Sequence, residues 1–256
     1  MQEIAELDIF RFLLVYLLLM IVLAVMKKNG AGQTKLVMIG GIRMTLQLVL
    51  AGFVLTYIFT NPSPIFTAVY LTGMFSFAIY HILSKNKQLN SKFKAAVALS
   101  FLGIGLALTF FFIVIVVDVS VFNPQYTIPL SGMILGNAMT GVTLALKTFA
   151  YSMETQRPKI QAFLNLGVSP KNILKPFINN AFETAMLPTL NTMIGMGIIF
   201  LPGMMTGQIL SGTMPMTAIL YQIAIMITIC TAVCLASFFA LYFGSKTLYN
   251  SKNQFV

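Results

Sequence analysis

The sequence predicts an all-α fold, a polytopic membrane helical bundle of about seven transmembrane helices, with the amino terminus outside and the carboxyl terminus cytoplasmic. Three observations carry this. Hydrophobic residues fill 58% of the 256 positions and charged residues only 9%, and the mean hydropathy is +0.88; a soluble chain of this length needs a larger polar exterior. The apolar residues form continuous runs without the ten-residue inside–outside alternation of a barrel. The Lys and Arg residues sit in the connections between those runs, concentrated on alternate ones.

Crossing a hydrocarbon core of ~30 Å takes ~20 helical residues. Runs of that kind cover about 9–26, 36–59, 65–83, 95–117, 130–152, 184–210 and 217–243. Lys27, Lys28 and Lys35 follow the first; Lys85, Lys87, Lys92 and Lys94 the third; Arg157, Lys159, Lys171 and Lys175 the fifth; Lys246 and Lys252 close the chain. That places thirteen of sixteen basic residues on one face, the cytoplasmic one. Glu3, Glu6, Asp8 and Asp118 fall on the other, where the connections 60–64, 118–129 and 211–216 hold no Lys or Arg. Acidic residues, not a basic leader, precede the first run, and no small-residue cleavage site follows it, so it reads as a retained anchor. The connections are too short for a soluble domain of ~50 residues, which makes 1–256 a single transmembrane domain in the cell membrane, a bacterial inner or plasma membrane. The echo between Pro64–Tyr70 and Pro215–Tyr221 marks two similar helix starts.

The formal charge of +10 suits anionic headgroups of the lipid bilayer rather than nucleic acid, since no basic stripe is interleaved with exposed aromatics. Cys230 and Cys234 lie within an apolar run and read as small core residues rather than a redox or metal pair. His81 is the one histidine and has no acid–base set around it. Gly244-Ser245-Lys246-Thr247 lacks the upstream glycine of a phosphate loop, with Phe at 239. The chain is therefore not read as an enzyme: no catalytic residue is assigned, and it binds no cofactor itself.

The longest cytoplasmic connection, 154–180, is the informative one. Arg157 and Pro158 can open a short helix in which Ile160, Phe163, Leu164 and Leu166 are spaced for one apolar face. Gly167 stops it. Ser169 and Pro170 restart a second short helix as N-cap and first-turn proline, with Lys171 and Lys175 one turn apart. Such a knuckle is either an interfacial element held by anionic lipid or a docking element that seats in a cytoplasmic partner and follows its movement.

The Leu166-Gly167-Val168-Ser169-Pro170 corner, Met186-Leu187-Pro188-Thr189-Leu190 and the stretch Leu201-Pro202-Gly203-Met204-Met205-Thr206-Gly207-Gln208-Ile209-Leu210-Ser211-Gly212 resemble the FetB family. These are permease subunits of bacterial ABC transporters associated with iron export, with plant relatives linked to aluminium tolerance. The resemblance implies a permease that pairs with a separate cytoplasmic ABC ATPase, which binds ATP and Mg, and that moves metal outward as a homodimer. It makes Arg157, Ile160, Phe163, Leu164, Gly167, Ser169 and Pro170 the ATPase-coupling residues. This chain departs from the family at Ile194-Gly195-Met196, where relatives often carry a polar or basic residue.

Polar residues inside the spans are candidates for the substrate pathway. A mid-span charge costs about 2.5–3.5 kcal/mol on insertion scales, so Arg43 is expected to face the bundle interior or water, with Gln47 one turn on. Both either line a pathway or brace helix packing. Asn137, Thr140, Thr143, Asn191, Thr192, Thr206 and Gln208 carry the same two readings. Glu183 stands at the cytoplasmic entrance. Gly132/Gly136 and Gly203/Gly207 have the spacing of close helix contacts, and Pro188 and Pro202 are expected to interrupt the sixth span, placing the conduit along 188–212. Seven methionines, Met204 and Met205 among them, fall within 186–216; thioethers suit a soft ion, whereas Met is also ordinary apolar filler. The competing function is a self-sufficient secondary transporter or channel for a cation, which calls for proton-carrying groups that spans two to six lack away from their ends.

Overall fold

The computed structural model describes residues 8–30 and 32–249; Glu3, Glu6 and Lys252 lie outside them. The described residues are helical, with no strand beyond an isolated bridge between Met196 and Phe200. In chain order the α-helices are α1 (Ile9–Lys28), α2 (Thr34–Thr60), α3 (Pro64–Lys85), α4 (Ser91–Phe110), α5 (Pro124–Thr155), α6 (Arg157–Asn165), α7 (Pro170–Gly195), α8 (Gly203–Leu210) and α9 (Pro215–Ser245). A π-helical stretch, Phe111–Val116, prolongs α4.

Local chemistry sets the helix starts. Asp8, Asn90 and Asn123 each turn a side-chain oxygen onto a free amide of the first turn, accepting from Phe10 at 3.2 Å, Phe93 at 2.7 Å and Gln125 at 3.2 Å. Prolines 64, 124, 158, 170 and 215 occupy the first turn of their helices, where the missing amide costs nothing. The resemblance between Pro64–Tyr70 and Pro215–Tyr221 is thus one of helix starts.

Among the described residues six helices are long and apolar enough to cross a membrane: α1, α2, α3, α4 with its π extension, α5 and α9 with its final turn. The run expected at 184–210 is not one helix. α7 begins fourteen residues earlier, at Pro170, so the second helix of the knuckle is long, not short. It passes through Pro176 and Pro188 without breaking, and ends at Gly195. The interruption falls at 196–202, where Gly197 takes φ +80° and its amide donates to the Phe200 carbonyl at 3.0 Å. With its Asn, Thr and Glu residues, α7 is not among the six helices apolar enough to cross.

The chain divides into two compact units. In the first, Met1–Pro62 with Leu210–Gly212, α1 packs on α2. Thr45 donates to the Gly41 carbonyl at 3.0 Å, which leaves its oxygen to accept from the Tyr16 hydroxyl at 2.6 Å. The second unit, Ser63–Ile209 with Thr213–Val256, is built on α5 and α9, which pack on each other; both also touch α4 and α7, and α3 packs on α5. Its core sets the Phe93 ring tilted against Phe149 and the Phe75 ring edge-on to Phe101, with Ile134, Leu146, Ile225 and Leu241 fully buried. Glycines permit the closest approaches. A Cβ on Gly141 would stand 2.6 Å from Val233, one on Gly105 2.7 Å from Phe75, and one on Gly244 would collide with Phe93. By contrast Gly136, Gly203 and Gly207 face open space and Gly132 meets only the tip of Met74, so the two Gly-x-x-x-Gly spacings do not mark the tight contacts within this chain.

Candidate coupling element and membrane pathway

Three connections of the second unit meet at one end. Asn90, before α4, donates to the Thr247 carbonyl at 3.3 Å and accepts from the Thr247 hydroxyl at the same distance. Gln88, Leu89, Glu154, Arg157, Leu164 and Leu248 line one groove of about 700 Å³. The residues after α3, after α5 and after α9 therefore share an end, and with them Lys85, Lys87, Lys92, Lys94, Arg157, Lys159 and Lys246. Gly244-Ser245-Lys246-Thr247 is a helix end, with Thr247 donating back to the Gly244 carbonyl at 2.7 Å.

The knuckle stands at this basic end. α6 stops in a Schellman cap: Gly167 takes φ +78°, its amide donates to Leu164 at 2.9 Å, and the Val168 amide donates to Phe163 at 3.0 Å. Glycine is required there for its backbone and not for space, since a Cβ on Gly167 would meet nothing within 4 Å. Ser169 occupies the N-cap position of α7, but its side chain makes no cap bond; its carbonyl accepts from Asn172 and Ile173 instead. The apolar face expected across Ile160, Phe163, Leu164 and Leu166 is divided. Ile160 is buried and Leu164 half-buried, whereas Phe163 is 39% and Leu166 77% exposed. Pro170 is buried, and Arg157, Lys171 and Lys175 are exposed. Beside Phe163 lies a second groove, about 520 Å³, walled by Gln156, Lys159, Val168, Asn172 and Phe177. Lys159 places its ammonium 5.9 Å from the centre of the Phe163 ring. The element thus presents exposed apolar side chains, a positive rim and an adjoining recess on two helices pinned by a rigid turn.

The pathway candidates are not gathered in one place. Arg43 and Gln47 lie exposed on α2, along a shallow groove among Ile39, Ile42, Leu46 and Leu50; the expectation that Arg43 turns into the bundle interior is not met within this chain. Asn137, Thr140 and Thr143 on α5, and Thr192 on α7, each donate to the carbonyl one turn back on their own helix, at 2.8, 3.0, 2.7 and 2.9 Å. These bonds do not join helices. Asn137 and Thr140 are exposed on α5, and Glu183 and Asn191 on α7, which packs beside it. Thr206 and Gln208 are half-buried on α8, Met204 is half-buried against the core and Met205 is buried.

Two residues escaped the sequence reading. Lys147 sits in α5 on the exposed row of Asn137 and Thr140, and lines the 700 Å³ groove. Gln222, in α9, is buried and its Oε1 has no hydrogen-bond partner. The signal that singled out Arg43, a polar group inside an apolar run, was present for both. Among the described residues no three His, Cys, Asp or Glu side chains are grouped to hold a metal ion.

Comparison with known proteins matches residues 9–249 to the model of the uncharacterised protein family UPF0014. The chain is 32% identical over 216 residues to the "Probable iron export permease protein FetB" of Escherichia coli (strain K12), covering 84% of this chain and 82% of that one. It is 31% identical over 216 residues to the "UPF0014 membrane protein YjkA" of Bacillus subtilis (strain 168), covering 84% and 85%. With the "Protein ALUMINUM SENSITIVE 3" of Arabidopsis thaliana it shares 30% over 184 residues, 72% of this chain and 66% of the plant protein. No solved structure matches the chain. An all-helical chain with six apolar spans, matched over nearly its whole length, is a membrane protein that belongs to the UPF0014 family.

Proposed function

We propose that the chain is the permease subunit of an ABC transporter that exports metal ions, working as a homodimer with two copies of a separate cytoplasmic ATPase that binds ATP and Mg. Iron as cargo comes from the name of the Escherichia coli relative. The observation that carries the reading is the knuckle: an exposed Phe163 and Leu166 beside an open groove, held by a Schellman turn at the basic end of the bundle. A lipid-bound interfacial helix needs no such recess, whereas a partner's side chain does.

The topology supports it. α7 starts at the basic end, and α9 finishes there while beginning at the opposite end, so the chain has to cross between them. α7, at ~1.5 Å per residue about 39 Å long, makes that crossing. Counted with the six apolar spans, that reading is of seven crossings in one transmembrane permease domain, with α8 not traversing and the amino terminus outside. The exposed row of Asn137, Thr140 and Lys147 on α5 is too polar for lipid, as are the exposed Glu183 and Asn191 of α7. It is covered when two copies face each other across a wet conduit.

Gly167→Asp tests the coupling. A Cβ there breaks no contact, and the strain of a non-glycine residue at positive φ is about 1 kcal/mol, so the variant inserts and keeps its melting temperature within a few degrees. Its stimulation of the co-expressed ATPase is expected to vanish. Normal stimulation and normal co-purification would remove the knuckle from the mechanism.

A further inference from the structure

A second recess opens at the other end of α7, around the break at 196–202. It has a volume of about 520 Å³ and is walled by Met193, Met196, Met205 and Met226, drawn from α7, the break, α8 and α9. Gln222 shares the wall. It is 4% exposed, and its Oε1 lacks a hydrogen-bond partner. Methionine is ordinary apolar filler, but here four methionines line one recess together with a buried amide that has an unmet acceptor, which is costly in an apolar setting unless something arrives to meet it.

We propose that this recess binds a soft monovalent cation, Cu(I) or Ag(I), through the thioethers of Met193, Met196, Met205 and Met226, with the Gln222 amide as an additional oxygen donor. Neutral sulfur ligands favour soft cations, whereas iron and zinc in oxidation state two favour carboxylate and imidazole, which the recess lacks. Rotation about the last torsion of Gln222 is soft, so either end of the amide can be presented. As a statement about cargo this rests on the metal-export reading; as a statement about binding it does not.

The test is a titration of the purified full-length chain in detergent, without any ATPase, using Ag(I) by calorimetry and Cu(I) by competition with a chromogenic chelator. About one equivalent per chain is expected, undisturbed by excess Zn(II) or Fe(II). Met205→Leu with Met226→Leu, a volume-conserving pair, should weaken binding ~10-fold or more, with an unchanged melting temperature showing that the fold is kept. Met20→Leu with Met44→Leu, and Cys230→Ser with Cys234→Ser, should leave binding as it was. Absence of Ag(I) binding, unchanged binding in the Met205/Met226 variant, loss in the cysteine variant, or equal binding of Zn(II) would each overturn the proposal. None of these results touches coupling to an ATPase, which is read by nucleotide hydrolysis; loss of coupling in turn leaves the titration standing.

Discussion

Single residues decide where helices touch, and the deciding feature is the bulk opposite, not the spacing along one helix. Gly141 and Gly244 are needed because Val233 and Phe93 press against them. Gly207 faces nothing within 4 Å. Gly141→Ala is therefore expected to cost about 1–3 kcal/mol by overpacking, read as a lower melting temperature in micelles, while Gly207→Ala changes it little; equal effects would contradict the packing described. The Gly-x-x-x-Gly spacings were visible in the sequence, but the identity of the facing helix was not, so the wrong glycines were singled out. Gly167 was legible because its signal is local: an amphipathic turn, a glycine, then Ser-Pro. In-span polar residues were legible as a class. Their surroundings are not: the sequence leaves Arg43 facing either the bundle interior or water, and nothing in it marks Gln222 as buried.

At the scale of elements, six spans agree with the apolar runs to within a few residues at most ends, because ~20 consecutive apolar residues admit few alternatives to a crossing helix. α7 was misread for two physical reasons. Its Asn179, Asn180, Glu183 and Asn191 dilute the hydropathy that marks a span, and Pro176 and Pro188 lie inside the helix, where neighbouring helices tolerate them. The knuckle divides its apolar residues between the bundle and the outside, so its two halves should separate under mutation. Phe163→Ala with Leu166→Ala removes exposed side chains and is expected to shift stability by no more than about 0.5 kcal/mol, yet to cut ATPase stimulation ~10-fold or more. Ile160→Ala, at a buried position, should instead destabilise the fold by about 2–5 kcal/mol, read as a lower melting temperature. If the exposed pair destabilised the chain and left stimulation intact, the outward-facing surface would have a structural role only.

At the scale of the molecule, the proposed orientation rests on where the basic residues of the second unit gather. Nine basic residues, Lys85, Lys87, Lys92, Lys94, Arg157, Lys159, Lys171, Lys175 and Lys246, belong to the end where α3, α5 and α9 finish. The connections 118–123 and 211–214 hold none. A cysteine introduced at Gln161 in a cysteine-free background should react with a membrane-impermeant maleimide only after the membrane is opened, and one at Ser120 in intact cells. The reverse pattern would invert the topology. A cysteine at Asn137 should cross-link between copies through a short bifunctional reagent, and its failure to do so in native membranes would argue against α5 lining a dimer conduit.

In the proposed mechanism the chain takes its work from an ATPase gripped through the turn at Gly167. Metal flux into inside-out vesicles, measured with and without the partner ATPase and ATP, tests it most directly. Uphill accumulation that needs both, and that is lost with Gly167→Asp, is the predicted result. Uphill transport by the chain alone, driven by an ion gradient, would contradict it.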